Sequence, residues 1–214
     1  PHVGEASAKG LLQNFDLEKY SKELELLQKQ SVGLSHQSYN IDGHQWALAL
    51  DAATQVSCYR NDLITSHPKS WDDLFQLSKN NKVIWPLKPV HAISSFYSIY
   101  NNITEEFQPS NKNFIQKDFG VKTLQMMKRI SQQLPSECFG MDPIKTAEIL
   151  SEHNEFFYSP YTYGFSNYSR TGYRKNLLTY GNVIDLSGKG PCGTHLGGTG
   201  IAISNKSKNK ELAL

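Results

Sequence analysis

Glycines at 188, 190 and 193 in "GKGPCGTHLGGTG" form a literal G-x-G-x-x-G, the spacing with which a loop wraps a pyrophosphate in backbone N–H groups. That chemistry needs a strand before the first glycine, a helix opening on the third, and an acid about 20 residues on for the ribose. The apolar "NVIDL" offers a strand. After Gly193, however, "THLGGTGIAIS" brings more glycine and a β-alternating segment, Glu211 falls in a lysine-rich stretch, and Pro191 removes a donor. The context predicts a glycine loop feeding a strand, and no nucleotide cofactor.

A second cluster is aromatic. Between Phe156 and Tyr173 lie Phe157, Tyr158, Tyr161, Tyr163, Phe165 and Tyr168, interleaved with Ser159, Thr162, Ser166 and Asn167. Ring faces beside amides and hydroxyls suit a neutral, hydroxyl-rich ligand such as a sugar, the ring covering C–H groups while polar groups take the hydroxyls. The same tyrosines equally suit the edge of a core. Asp51, Thr54 and Gln55 stand at a small-residue interruption between two strand-like segments, where they face a cleft or serve as turn polars. Trp85 and Lys88 end an apolar run, the position at which α/β folds place ligands.

Other chemistries lack their signatures. Cys58, Cys138 and Cys192 are an odd set without CxxC, and the C-x-x-H of Cys192 and His195 lacks the two further ligands that zinc takes. A Cys138–Cys192 disulfide stays open on sequence grounds. There is no G-x-S-x-G, H-E-x-x-H or P-loop. Asp51 and Glu155 would have to be the carboxylate pair of a carbohydrate-active enzyme, the alternative reading, and no motif supports them.

The elements that must position these residues come from periodicity and punctuation. Two short helices are expected in "GEASAKGLLQNFDLEKYSKELELLQKQ", broken near Asn14 to Asp16. Asp42-Gly43 predicts a hairpin turn, with Trp46, Leu48 and Leu50 alternating on the returning strand, and "TQVSCYRNDLI" continues as strand. Ser70 caps a helix whose first turn holds Asp72 and Asp73. "VIWPLKP" reads as a buried strand cut short by prolines. Helices follow in "AISSFYSIYNNI", "GVKTLQMMKRISQQL" and "DPIKTAEILSEHN", the last with Asp142 as cap and Pro143 at its first position. Strands alternating with helices predict an α/β fold. Its 214 residues suffice for one large domain or two small ones. A net charge of +2 with dispersed lysines is too small for a nucleic-acid footprint, and "NKSKNKE" reads as a solvated helix start. No stretch approaches the roughly 18 apolar residues of a membrane span.

Taken in order, "VGEASAKGLL", "SYNIDGHQWALALDAATQVSCYRNDLI", "PKSWDDLFQLSKNNKVIWPLKP", "ECFGMDPI", "FFYSPYTYGFSNYSR" and "LGGTGIAISNKSKNKELAL" resemble the extracellular solute-binding proteins of family 1, the sugar-type substrate-binding subunits of ABC importers. The resemblance covers nearly the whole chain. It implies a two-lobed periplasmic-binding-protein-like (type II) α/β architecture with the first lobe incomplete: residues 1–50 in lobe 1, 51–195 in lobe 2, and 196–214 as the return crossing. It implies a solute, a carbohydrate or similar hydroxyl-rich molecule, held in the cleft by hinge closure without a chemical step or cofactor. The partner would be a membrane permease, and the location extracytoplasmic, in the periplasm or lipid-anchored, with the signal outside this sequence. The implied solute contacts are His2 and Glu5 from "HVGE", Asp51, Thr54 and Gln55 at the first crossing, and Trp85 and Lys88 from "WPLKP". Tyr161 and Tyr163 would be the stacking platform with Asn167 beside them, and Gly197 and Gly198 would let backbone pass close to the solute. Ala49 stands where relatives commonly have proline.

Overall fold

Helix starts follow their capping chemistry. In the computed structural model, which describes residues 2–16, 18–104, 114–190 and 193–213, the chain runs α1 (Val3–Ala8), β1 (Leu12–Gln13), α2 (Ser21–Gln30), β2 (Asn40–Ile41), β3 (His44–Gln45), β4 (Leu48–Ala49), β5 (Gln55–Tyr59) and α3 (Trp71–Lys79). It continues with α4 (Pro89–Ile103), α5 (Lys117–Ser131), α6 (Pro143–Glu152), β6 (Tyr158–Tyr163), β7 (Thr179–Gly181), β8 (Gly200–Ile201), β9 (Ile203–Ser204) and α7 (Lys210–Ala213). At α3 the Ser70 hydroxyl accepts from Asp73 N–H while the Asp73 carboxylate accepts from Ser70 N–H, a reciprocal capping box. At α6 the Asp142 carboxylate accepts from Lys145 N–H (2.8 Å), with Pro143 at the first helical position, where no N–H is needed.

The chain divides after Ala53 and after His195. One unit comprises Pro1–Ala53 and Leu196–Leu214, the other Thr54–His195. In the first, strands are two residues long and pair as β1 with β9, β2 with β3, and β4 with β8, all antiparallel. The β2–β3 hairpin turns at Asp42 and Gly43, both at positive φ (54° and 81°), the primed turn that matches strand twist. The returning segment has the opposite phase to the one expected. Gln45 and Ala47 are buried, whereas Trp46 and Leu48 are only half-buried and Leu50 is 65% exposed. Gln45 accounts for this: its side-chain amide donates to the carbonyls of His36 (3.0 Å) and Ala47 (2.8 Å), so a polar residue holds an inward position that pattern alone assigns to leucine.

The second unit holds most of the apolar core. Its antiparallel sheet, in the order β6-β5-β7, packs with helices around Leu74, Ile84, Trp85, Ile99, Ile130, Leu150 and Leu178, all buried. Pro160 lies inside β6, and there the β5–β6 register slips, with Val56 opposite Thr162 but Cys58 opposite Ser159. A residue without an N–H belongs at such a bulge. "VIWPLKP" is buried as expected, but it forms a single parallel bridge, Val83 to Tyr158, in place of a strand. Pro86 and Pro89 bracket the segment and deny it a ladder, and Leu87 and Lys88 instead donate N–H to the carbonyls of Cys138 (2.9 Å) and Met141 (3.1 Å).

One buried cation joins the sheet to α6. Arg60, 1% exposed, directs all five guanidinium N–H groups to acceptors: Nε (2.7 Å) and Nη2 (2.6 Å) to Asp62, Nη1 to the carbonyls of Leu150 (3.0 Å) and His153 (2.9 Å), and Nη2 to Asn154 (3.1 Å). Positive charge at the C-terminus of α6 also complements the helix dipole. Replacing Arg60 with Met keeps the apolar stem and strands two buried carbonyls. Urea unfolding of Arg60→Met is therefore expected to show a loss of about 3 kcal/mol. A change within about 0.5 kcal/mol, ordinary for a surface site, would refute this role.

Candidate functional site

Within the first unit, the expected contacts fall into two places. His2 and Glu5 lie at the start of α1, both exposed, and the Glu5 carboxylate pairs with Lys9 one turn on. Asp51 is the acceptor for Thr199 N–H (2.5 Å), and Gly197 exchanges backbone hydrogen bonds with Ala53 (3.0 and 2.6 Å). Gly198 has φ +141°, and a Cβ there would lie 2.6 Å from the Asp51 carbonyl oxygen. Glycine is required at this position because one strand of the chain passes against another.

Within the second unit, Tyr161 and Tyr163 lie two residues apart on β6 and so share a face of the strand. Tyr161 is fully buried and stacks on Trp85 (centroids 5.7 Å apart), which is itself fully buried and donates Nε1–H to Ser95 (3.2 Å) on α4. Trp85 and Tyr161 pack in the core, so that of the platform expected at Tyr161 and Tyr163 only Tyr163 reaches the surface. Gln55, also expected among the contacts, is enclosed likewise. It is 2% exposed, its amide donates to Ser95 (3.1 Å), and its Oε1 accepts from Ser98 (2.7 Å). Tyr163 differs: half-buried, it lies directly opposite Gln55 in the β5–β6 register, with its ring edge-on to His91 (6.3 Å) in the first turn of α4. Lys88, the exposed residue capping α4, precedes it, and Thr54 meets the Thr194 hydroxyl beside the same end of β5. Asn167 is exposed in the short helix Ser166–Ser169.

His91 is a neighbour of Tyr163 that sequence reasoning did not single out. Burial lowers its pKa, opposed by the nearby Asp142 charge, while Lys88 lowers it further, so the ring is neutral at pH 7 and can both donate and accept. Its signal was a histidine two positions after a helix-starting proline. The group of Tyr163, His91, Lys88 and Thr54 provides one ring face and several polar groups within reach of solvent, suited to a neutral polyhydroxylated molecule.

The glycine loop has a different occupant from phosphate. Asp185 Oδ1 accepts from the N–H groups of Ser187 and Gly188 and from the Ser187 hydroxyl, each at 2.9 Å, and Oδ2 accepts from Gly190 N–H (2.8 Å). Gly188 and Gly190 have positive φ (71° and 102°), which turns these donors inward. The strand expected at "NVIDL" is absent, since β7 ends at Gly181 and the following residues are irregular. Donation from Gly190 N–H, then Ser187, holds the Asp185 carboxyl below its ordinary range. The cap is thus intact at neutral pH and is lost only as pH falls through that lowered value. Pro191 and Cys192 lie outside the described residues, and with them the Cys138–Cys192 pairing. Cys58 is buried, its thiol pushed up to about 12, which keeps it unreactive. Among the described residues no group of three His, Cys, Asp or Glu is placed to hold a metal ion. Asp51 belongs to one unit and Glu155 to the other.

Solved structures share this architecture. Maltose-bound MalE3 of T. maritima matches with a TM-score of 0.77 at 17% identity, covering 98% of this chain and 56% of that one. A ribitol complex of an ABC transporter solute-binding protein from Agrobacterium radiobacter K84 matches at 0.76 and 19% identity, covering 98% and 57%. The fold is that of the ABC transporter solute-binding proteins. A third such protein, from Agrobacterium vitis S4 with bound D-mannitol, matches at 0.70 and 14% identity, covering 99% and 55%. The chain thus spans little more than half the length of the solved proteins it matches. No protein-family model and no curated protein matches the sequence.

Two predictions separate core from surface within the solute-binding fold. Tyr161→Ala should cost about 3–5 kcal/mol in urea unfolding, as large-to-small changes of buried aromatics do, whereas Tyr163→Ala should cost less than half of that. Equal losses would place Tyr163 in the core and remove it from the site. Asp185→Ala should remove the four hydrogen bonds that its carboxylate accepts within the loop, so a lysine-specific protease at pH 7 is expected to cut after Lys189 several-fold faster than in wild type. Unchanged cleavage would show that the carboxylate does not hold the loop.

Proposed function

We propose that the protein is the extracytoplasmic substrate-binding subunit of an ABC importer, holding a sugar or polyol between two lobes that close on it, and presenting the closed form to a membrane permease. The two units are its lobes. The observation that carries this reading is the fold, shared with proteins whose structures contain maltose, ribitol and D-mannitol. The exposed polar group around Tyr163 supports the same class of solute.

In this reading Tyr163 stacks on the C–H face of the solute, while His91, Lys88, Thr54 and Asn167 take hydroxyls from the second lobe. His2, Glu5, Asp51 and the Gly197-Gly198 backbone contribute from the first. Trp85, Tyr161 and Gln55 act from below by fixing the strand and helix that carry the contact residues. Micromolar binding corresponds to about −8 kcal/mol, within reach of one stacked ring and several hydrogen bonds when these groups are held in place beforehand. No chemical step is required, and no geometric observation supports the carbohydrate-active alternative on Asp51 and Glu155.

The test is thermal unfolding with maltose, ribitol and D-mannitol, followed by analysis of the recovered solute. A solute present at 100 times its dissociation constant should add about 2.7 kcal/mol and be recovered intact. Tyr163→Ala should abolish that gain. No stabilisation by any of the three would defeat the sugar or polyol assignment, and a cleaved disaccharide would defeat the assignment of a binding protein.

A further inference from the structure

The two points at which the chain enters and leaves the second unit are joined by one hydrogen-bond network with a buried centre. On the outgoing side, Gln55 follows directly after Thr54. On the returning side, the Thr194 hydroxyl donates to the Gln55 carbonyl (2.9 Å) and contacts the Thr54 hydroxyl, and His195 N–H donates to Ser98 Oγ (3.2 Å). Ser98 in turn donates to Gln55 Oε1 (2.7 Å), so one hydroxyl links the returning backbone to the outgoing side chain. Gln55 and Ser98 are both buried. Within the first unit the same two segments are already paired, Ala53 with Gly197 and Leu50 N–H to the Thr199 carbonyl (2.8 Å).

A surface glutamine contacting solute would leave its amide free toward solvent. Here the amide is consumed inside the protein, and breaking either end leaves a buried polar group without a partner, which is what makes such a network stiff. We infer that Gln55 and Ser98 are positioning residues of the hinge: they bind the outgoing and returning segments into a single body on the second-unit side, so that both crossings bend as one. The inference rests on the proposed solute-binding reading for its purpose, though not for its geometry.

The experiment is hydrogen exchange by mass spectrometry on the ligand-free protein, comparing wild type with Ser98→Ala, Thr194→Val and Thr194→Ser. In Ser98→Ala and Thr194→Val, amides of residues 50–55 and of 193–199 should exchange faster together, by about 5–30-fold, while α3 and α5 stay at their wild-type rates. Thr194→Ser, which keeps the hydroxyl, should match wild type. Faster exchange in 193–199 with no change in 50–55 would overturn the coupling. A parallel rise in α3 and α5 would also overturn it, since the network would then be serving only global stability. Thr194→Val changes a part-exposed side chain and preserves the test if Ser98→Ala fails to fold. Because no solute is present, the result is independent of the maltose, ribitol and D-mannitol titrations.

Discussion

Burying a guanidinium is tolerable only when every N–H finds an acceptor, and Arg60 meets that condition with five hydrogen bonds. The consequence is positional. Arg60 follows directly on β5, and its partners are Asp62 in the next turn and the last carbonyls of α6, so the central strand of the sheet cannot shift along its axis without breaking the set. At the other end of β5, Gln55 is held by Ser95 and Ser98 on α4. The strand is therefore pinned at both ends by polar side chains whose hydrogen bonds are directional, while apolar packing between them supplies the larger share of burial energy without fixing register. Tyr163, opposite Gln55, inherits its position from that arrangement.

What could be read in the sequence was what depends on neighbours within four residues. The Asp42-Gly43 turn, the Ser70 box and the Asp142-Pro143 start are decided by one side chain and one nearby backbone group, and all three occur where their residues predict. The inward phase of Gln45 was not legible, because its partners are the His36 and Ala47 carbonyls, and the first of these is placed by tertiary structure. The same holds for "VIWPLKP", where hydrophobicity foretold burial but the absence of a ladder depended on which carbonyls lay beside it.

The candidate site divides along the same line. Tyrosines and polar residues mixed in one segment marked a candidate region, but the choice between rings at the margin and rings that fill core lies in strand geometry. Pro160 and its bulge set the register that sends Tyr161 under Trp85 and leaves Tyr163 at the margin. The glycine motif shows the converse. Its positive-φ glycines do turn N–H groups toward an anion, as the spacing suggests, and the anion is the chain's own Asp185. A pattern match specifies a concave set of donors; only the surroundings specify what they hold.

The two units differ in what can hold them rigid. Among the described residues of the first, the buried apolar side chains are Phe15, Ala47 and Ile203, and each strand pairing is two residues long. The second unit carries the extended core and both pinned ends of β5. Apolar burial and directional hydrogen bonds therefore act together in the second unit to hold β5 in place.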